Sequence, residues 1–179
     1  MSRLCPALLL AALVGCGPAA GQSALTQPHG HCRAGEVVVF DCSTGAKRVS
    51  VCMSPDYSAQ RGHLHYRFGA PGQIEIELPR DRSKGGATEA RLETFGNGSA
   101  AGYLRFHHGS TAYVVYEGNT RTGSAWQRQA GVAVEQPKRR TQFIACREAP
   151  AASLLLDARL MHTRLGFMEN SEAKPFELP

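Results

Sequence analysis

The sequence has few of the features by which enzymes and membrane-spanning proteins are recognised. Its apolar run at residues 4–14 is too short to cross a bilayer, which needs about 20 residues. No segment matches a nucleophile elbow, a zinc-protease helix or a carboxylate pair with an evident acid/base role. Tryptophan occurs once, and no basic groove interleaved with aromatic residues is evident. We therefore predict that the protein is not an enzyme, needs no cofactor and does not bind nucleic acid.

The chain does have the pattern of a bacterial lipoprotein export signal at its start. Arg3 precedes the apolar run, which ends in the lipobox-like motif Leu13-Val14-Gly15-Cys16. We expect residues 1–15 to be removed as a signal peptide and Cys16 to carry a lipid anchor. Residues 16–30 would then form a tether between the anchor and a folded domain.

The location of the mature protein depends on how this signal is processed. Lipidation, with Gly17 after the anchor, predicts the periplasmic side of the outer membrane, by analogy with enteric bacteria. The alternative is ordinary secretion after a cut before Gln22, which gives a soluble periplasmic or secreted protein. Both routes place the domain in an oxidising compartment.

Once Cys5 and Cys16 are assigned to the signal and anchor, the cysteines expected to form two disulfides are Cys32, Cys42, Cys52 and Cys146. Residues 36–42 and 48–53 have the pattern of an antiparallel hairpin in which Cys52 faces Val38, about 13 Å along the strand from Cys42. A disulfide cannot span that distance. Of the three possible connectivities we therefore favour Cys42–Cys146 with Cys32–Cys52.

From residue 36 to residue 146 the chain repeats short alternating segments between glycine-rich turns. We predict an all-β domain over residues 31–148, a small antiparallel sandwich or barrel of seven to nine strands. Residues 153–164 instead have a nearly helical period, with Ser153 as a cap and Gly166 as a stop. Residues 149–179 are accordingly expected to form a short C-terminal helix and a polar tail.

The clearest predicted hairpin turns through Gly69-Ala70-Pro71-Gly72. Its apolar residues share one face if the cross-strand pairs are Tyr66–Ile76 and Phe68–Ile74. On the other face Arg67 would then oppose Glu75.

The same polar face contains a candidate metal site. His63 and His65 point to one side of their strand, and Glu77 is predicted to oppose His65. Two imidazoles and a carboxylate could bind zinc or copper. The alternative interpretation is an ordinary solvated face.

A second predicted hairpin turns through Gly109 and provides a candidate binding surface. The residues expected to share its outer face are Tyr103, Arg105, Tyr113 and Val115. Aromatic residues beside arginine have the composition of a binding hot spot. With Ser99 from the preceding glycine-rich loop, we predict that Tyr103, Arg105 and Tyr113 contact a partner. If both faces of the sheet are covered, the same residues belong to the core.

A series of motifs runs through the predicted domain: Phe40-Asp41-Cys42, Ser50-Val51-Cys52-Met53-Ser54, Tyr66-Arg67-Phe68-Gly69, Leu104-Arg105-Phe106, Tyr113-Val114-Val115-Tyr116, Gly131-Val132-Ala133-Val134 and the late Cys146. In these motifs the chain resembles a group of small Gram-negative envelope proteins of unknown function. The resemblance implies export and a compact β fold, and it supplies no activity.

A second similarity concerns Ser99, Gly102 and Tyr103, which approximate in altered order the Ser-Gly-x-x-Tyr stretch of the membrane-bound inhibitors of c-type lysozyme. Those inhibitors are lipoproteins with a small β barrel in which an early cysteine bonds a late one. We therefore expect a non-catalytic binding or inhibitory module whose ligand is an envelope or host protein. The alternatives are a zinc- or copper-binding periplasmic protein and a structural component of the envelope.

Overall fold

The computed structural model describes residues 30–58, 61–80, 89–163 and 176–179. These residues form two antiparallel sheets of five strands each and one short helix. The predicted signal peptide, the anchor Cys16 and the tether up to residue 29 lie outside the described residues. Within the described ranges, no helix is long and apolar enough to cross a membrane.

The sequence alternates valine-rich and aromatic positions with polar ones, a pattern that suits pleated strands with one face buried. In spatial order the first sheet contains β10 (Ala152–Ser153), β1 (Val37–Ser43), β2 (Arg48–Met53), β3 (Leu64–Ala70) and β4 (Gln73–Leu78). The second sheet contains β5 (Glu89–Thr94), β6 (Ala100–His108), β7 (Thr111–Thr122), β8 (Ala125–Glu135) and β9 (Gln142–Ala145). The helix α1 spans Ala158–Thr163.

The two sheets pack against each other through their apolar inner faces, which makes the fold a sandwich and not a closed barrel. Tyr66 of the first sheet contacts two rings of the second, with centroids 5.6 Å from Phe106 and 5.5 Å from Tyr113. Phe40 and Leu104 are fully buried in the same cluster. The prediction of an all-β domain is thus confirmed in its sandwich form.

Two disulfides staple this sandwich, and they are the pairs that the hairpin argument favours. Cys52 lies opposite Val38, as expected, and bonds Cys32, 20 residues away in sequence. Cys42 bonds Cys146, 104 residues away, and so links β1 to the end of β9 in the other sheet. In a chain-entropy treatment the longer loop contributes about 5 kcal/mol to the free energy of unfolding and the shorter about 3 kcal/mol.

The first predicted hairpin forms, but its register differs by two residues from the prediction. The observed pairs are Tyr66–Leu78, Arg67–Glu77 and Phe68–Ile76. The predicted pairs that are wrong are Tyr66–Ile76, Phe68–Ile74, Arg67–Glu75 and His65–Glu77. Ala70 pairs with Gln73, so the turn is shorter than expected, and the ladder is irregular beyond Phe68. Because the shift is even beyond the irregularity, Ile76 and Leu78 keep their predicted apolar face. Ile74 pairs with Gly69 and so lies on the polar face, and its predicted place on the apolar face is wrong.

The second predicted hairpin differs by an odd number of residues, and the consequence is larger. His108 pairs with Thr111 across a two-residue turn, where a three-residue turn was expected. Tyr113 therefore opposes Phe106 on the inner face, while Tyr116 opposes Tyr103 on the outer face. The prediction that Tyr113 and Val115 share a face with Tyr103 and Arg105 is wrong.

The packed domain continues past the predicted boundary at residue 148. Ala152 and Ser153 form β10 beside β1, which raises the strand count to ten, and Ser153 is therefore not a helix cap. Helix α1 starts later than expected, and its Met161 packs into the core. Leu155, which was assigned to the helix, lies in the preceding turn and is fully buried.

Candidate functional site

The residues predicted to bind a partner do not form an exposed surface. Tyr103 and Arg105 are 2% and 1% exposed, and Ser99 is also buried. Tyr113 faces the core between the sheets, where it contacts Tyr66. The alternative interpretation, in which both faces of the second sheet are covered, describes these residues correctly.

The outer face of the second sheet is covered by residues 176–179, here named the C-terminal cover. The ring of Phe176 lies 5.6 Å from that of Tyr103 and 5.3 Å from that of Tyr116. Leu178 packs in the same cluster at Gly118, where an added Cβ would lie 2.2 Å from the Leu178 Cδ1 atom. The end of the predicted polar tail thus supplies two apolar side chains, while residues 164–175 lie outside the described part of the chain.

Arg105 lies on the same outer face, beside a cavity of about 260 Å³. Its guanidinium is paired with Glu89 and lies 3.5 Å from the Glu135 carboxylate. The other residues that line the cavity are His107, Ser110, Ala112, Gln136 and Pro137. Two carboxylates neutralise the arginine, so the cavity has no excess positive charge with which to hold an anion.

Ser99 has a structural role in bracing a hairpin. Its hydroxyl accepts a hydrogen bond of 2.9 Å from the Arg121 N–H, and its carbonyl accepts one of 2.8 Å from the Phe95 N–H. Asn97 of the same loop donates a 3.4 Å hydrogen bond to the Arg121 carbonyl. The loop at residues 95–99 is therefore fixed to the end of β7.

The braced hairpin and its bracing loop carry the two most exposed large aromatic side chains among the described residues. β6 pairs with β7 only as far as Asn119, and β9 pairs with β8 only from residue 131, so the end of the β7–β8 hairpin projects beyond its neighbours. Trp126 near its turn is 52% exposed, and Phe95 in the bracing loop is 48% exposed. The Arg121 guanidinium lies 5.8 Å from the centre of the Trp126 ring. We name Phe95, Arg121 and Trp126 the aromatic tip.

Sequence reasoning missed this tip, although one signal for it was present. Trp126 is the single tryptophan of the chain, and it lies two residues after the Gly123-Ser124 turn, where the chain runs at the surface. Its exposure depends on the lengths of β6 and β9 relative to the hairpin. Those lengths follow from long-range pairing and have no local signature.

The polar outer face of the first sheet is covered by residues 30–36, here named the N-terminal cover. Gly30 approaches the sheet so closely that an added Cβ would lie 2.0 Å from the Asp41 Oδ1 atom. The His31 N–H donates a 3.0 Å hydrogen bond to the Ser50 hydroxyl, and Cys32 is tied to β2 by its disulfide. The predicted solvated face is therefore the floor of a buried polar cluster.

Arg67 stands at the centre of that cluster and is fully buried. It donates two hydrogen bonds to the Glu36 carboxylate, at 2.5 and 2.8 Å, and one of 3.0 Å to the Glu77 carboxylate. A further one of 3.2 Å goes to the His31 carbonyl. A paired arginine of this kind fixes the planes of both carboxylates around it.

The structure brings the predicted ligands His63 and His65 together, but the carboxylate beside them is that of Glu36 and not that of Glu77. His63 and His65 lie side by side, with ring centroids 4.7 Å apart. The carboxylate that joins them is that of Glu36, whose Oε1 lies 2.9 Å from the His63 Nε2 atom. The Glu77 Oε1 atom lies 3.3 Å from the His65 Nδ1 atom, which also accepts a 3.1 Å hydrogen bond from Arg67. Glu36 could not be found from local pattern because it lies 27 residues before His63.

Burial and charge set the protonation states of this cluster. Burial, reinforced by Arg67 and His63, lowers the pKa of His65 to about 4, so its ring is neutral near neutral pH. Burial alone would raise the pKa of Glu36, but hydrogen bonds from Arg67, from the Arg33 N–H and from His63 outweigh it and lower the pKa to about 2. The cluster therefore presents an ionised carboxylate beside a neutral imidazole.

Comparison of the chain with protein-family models, curated proteins and solved structures finds no match. Its candidate sites therefore rest on the geometry alone: the exposed aromatic tip on the second sheet, and the Glu36–His63–His65 cluster on the first.

Proposed function

We propose that the protein is a non-catalytic binding module of the bacterial envelope, held to the outer membrane by a lipid on Cys16, and that the aromatic tip contacts its partner. The observation that supports this proposal is the half-exposed Trp126 on a projecting hairpin. The surface first expected to bind, around Tyr103 and Arg105, is buried beneath or beside the C-terminal cover. The aromatic tip replaces that surface as the proposed contact, and the proposed class of function, a non-catalytic binding module, is unchanged.

The composition of the tip suits a protein partner. Tryptophan and arginine are the residues most enriched among those that dominate binding energy at protein interfaces. The Arg121 guanidinium stacks near the Trp126 ring and is also anchored by a 3.0 Å hydrogen bond to the Gly123 carbonyl. A partner that buries the indole would meet this cation at the rim of its pocket.

The aromatic tip is rigid, and this supports a role in binding more strongly than exposure of the Trp126 side chain alone. Two hydrogen bonds join the loop at residues 95–99 to the end of β7, and a third closes the loop itself, so the hairpin is held before any partner arrives. A preorganised surface loses less conformational entropy on binding, so more of its contact energy appears as affinity. We therefore expect a partner with an apolar pocket bordered by carboxylates, drawn from the envelope or from the host.

The test compares Trp126→Ala with Ile74→Ala, a control residue that is 39% exposed on β4 of the other sheet. The oxidised protein is used to isolate a partner from envelope extract and from lysozyme-containing host fluid, and the purified partner is then titrated. We expect Trp126→Ala to weaken binding by about thirtyfold, the effect of a hot spot worth about 2 kcal/mol. Ile74→Ala should leave it unchanged. Equal affinity of both variants for the partner would overturn the proposal.

Inhibition of a c-type lysozyme is one specific form of this function. Ser99 and Tyr103 are buried, and Gly102 lies against the backbone of Leu155, with an added Cβ 2.1 Å from its carbonyl oxygen. The residues that resemble an inhibitory loop are thus not at the surface. A lysozyme assay with the wild-type protein and with Trp126→Ala tests whether the protein inhibits lysozyme through the aromatic tip. Inhibition that persists in the variant would place the contact elsewhere.

A further inference from the structure

We propose that Glu36, His63 and His65 form a binding site for one divalent transition-metal ion of the zinc or copper(II) class. The three side chains offer one ligand atom each, and these atoms all lie within 4.8 Å of one another. The site lies on the first sheet and shares no residue with the aromatic tip. A negative result at the aromatic tip therefore does not bear on the metal site, and a negative result at the metal site does not bear on the tip.

The ligand set fits this class of metal. Two imidazole nitrogens and one carboxylate oxygen are a common protein contribution to zinc sites that keep a fourth position open, and copper(II) also takes nitrogen and oxygen ligands. Calcium and magnesium prefer sets made only of oxygen atoms, so a site with two imidazoles selects against them. The cluster is therefore expected to discriminate between these two groups of cations.

His65 supplies the observation that points most directly to a ligand. The residue is almost completely buried, and its Nε2 atom has no hydrogen-bond partner within the described ranges. Buried polar atoms in folded proteins nearly always have a partner. A metal ion bound by Nε2 would satisfy this atom, which supports the cluster as a metal site.

Glu77 is suited to orient the His65 ring in that bound form. A histidine that binds metal through Nε2 carries its proton on Nδ1 and donates it to a neighbouring acceptor. The Glu77 Oε1 atom lies 3.3 Å from the His65 Nδ1 atom, which accepts a 3.1 Å hydrogen bond from the Arg67 guanidinium. Binding of a metal through Nε2 moves the ring proton to Nδ1, so Nδ1 would exchange the bond from Arg67 for one to Glu77. Glu77, which the sequence suggested as a ligand, is therefore a positioning residue.

Access and charge set the strength of the site. The His63 side chain is 32% exposed, so an ion can enter from solvent on that side. Arg67 opposes a dication by its own charge, and it binds both oxygens of Glu36. It also has Glu77 as a second carboxylate partner, so the Glu36 Oε1 atom can be shared with a metal while Arg67 keeps the Oε2 atom. The cation nearby makes the site weaker than an isolated set of three ligands.

The experiment titrates the oxidised full chain with zinc and, separately, with copper(II), in a competition assay against a chelator of known affinity. The matched control is His107→Ala/His108→Ala, which removes two exposed histidines from the other sheet. We expect one metal per chain, at least about tenfold weaker binding in His63→Ala, and no change in the control. Failure of the wild-type protein to bind, or unchanged affinity in His63→Ala, would overturn the proposal.

A second measurement does not depend on a variant that must fold. Imidazole nitrogen spectra of the wild-type protein should show the Nε2 signals of His63 and His65 shifting together on addition of zinc. Glu77→Gln should weaken binding by about 10–100-fold if it positions His65. Shifts confined to His107, His108, His29 or His31 would contradict the site, whatever the result at the aromatic tip.

Discussion

The two outer faces of this sandwich are both covered by chain segments from outside the sheets, but they are covered by different chemistry. On the first sheet the N-terminal cover encloses Arg67, Asp41 and Ser50 and is tied down by a disulfide and ion pairs. On the second sheet the C-terminal cover lays Phe176 and Leu178 on the rings of Tyr103 and Tyr116. One cover depends on matched charges and the other on apolar contact.

This difference explains why the two faces suit different functions. In the buried polar cluster the His65 Nε2 atom has no hydrogen-bond partner among the described residues, which is why we propose a metal site there. The apolar cover buries Tyr103 and Tyr116, so we propose that binding uses the aromatic tip, which projects beyond the sheet. Several changes to single groups would test this contrast.

The largest contrast is expected between the two buried arginines. Arg67→Met should lower the free energy of unfolding by about 3–5 kcal/mol, because it leaves the buried Glu36 carboxylate without its main partner. Arg105→Met should cost less, about 1–2 kcal/mol, because its partners Glu89 and Glu135 reach solvent more readily. Urea unfolding measures both. Equal losses of unfolding free energy in the two variants would show that the polar cluster around Arg67 contributes no more to stability than the ion pairs of Arg105.

The disulfide of the N-terminal cover gives the next largest effect. Cys32→Ala/Cys52→Ala should cost about 3 kcal/mol, the loop-closure entropy expected for a separation of 20 residues. Hydrogen exchange should then quicken at His31 and across β2 and β3, while the second sheet stays protected. Loss of protection throughout the molecule would mean that the cover is not an independent element.

Acid should weaken the polar cover in a defined range of pH. The pKa of His65 is lowered from 6.5 to about 4 in the folded protein, so the unfolded chain binds the proton first as the pH falls. Stability should therefore decline between pH 6.5 and pH 4, by up to about 3 kcal/mol. The lowered pKa of Glu36 extends the decline from pH 4.5 towards pH 2.

The matched measurement is the slope of unfolding free energy against pH, in the presence of a chelator so that metal binding does not contribute. His65→Gln should flatten the slope between pH 6.5 and pH 4 and leave the decline below pH 4.5 in place. A variant that keeps the wild-type slope in the upper range would assign the proton uptake to another group.

The smallest effect is expected at the apolar cover. Phe176→Ala removes a half-buried ring and should cost about 1 kcal/mol. Its clearer consequence is exposure, since Tyr103 and Tyr116 lose the ring that covers them. Iodination should reach these two tyrosines faster in the variant than in the wild-type protein, whereas Tyr66 between the sheets should stay unreactive.

The fold could be predicted from the sequence to the extent that its determinants are local. Alternation predicts the strands, and the position of Cys52 opposite Val38 predicts which cysteines can meet. Turn length was the weak point. A net error of two residues at the first hairpin left Ile76 and Leu78 on the predicted face and moved only Ile74 to the polar face. An error of one residue at Gly109-Ser110 moved Tyr113 from the surface to the core.

The candidate sites depend on contacts that local pattern does not contain. His63 and His65 could be placed on one face from their spacing, but Glu36 arrives from the N-terminal cover and Glu77 takes a different role. Arg67 has the sequence signature of a solvated strand residue and is fully buried by a segment more than 30 residues away. Trp126 is exposed because its hairpin is longer than the strands beside it.

The central claim is that the protein binds a partner through the aromatic tip. The most direct measurement is photocrosslinking from an amino acid placed at position 126, compared with one placed at position 74, with envelope extract and host fluid as sources of partner. We expect a discrete adduct from position 126 that excess unlabelled wild-type protein abolishes, and no such adduct from position 74. Identical adducts from both positions, or none from position 126, would contradict it.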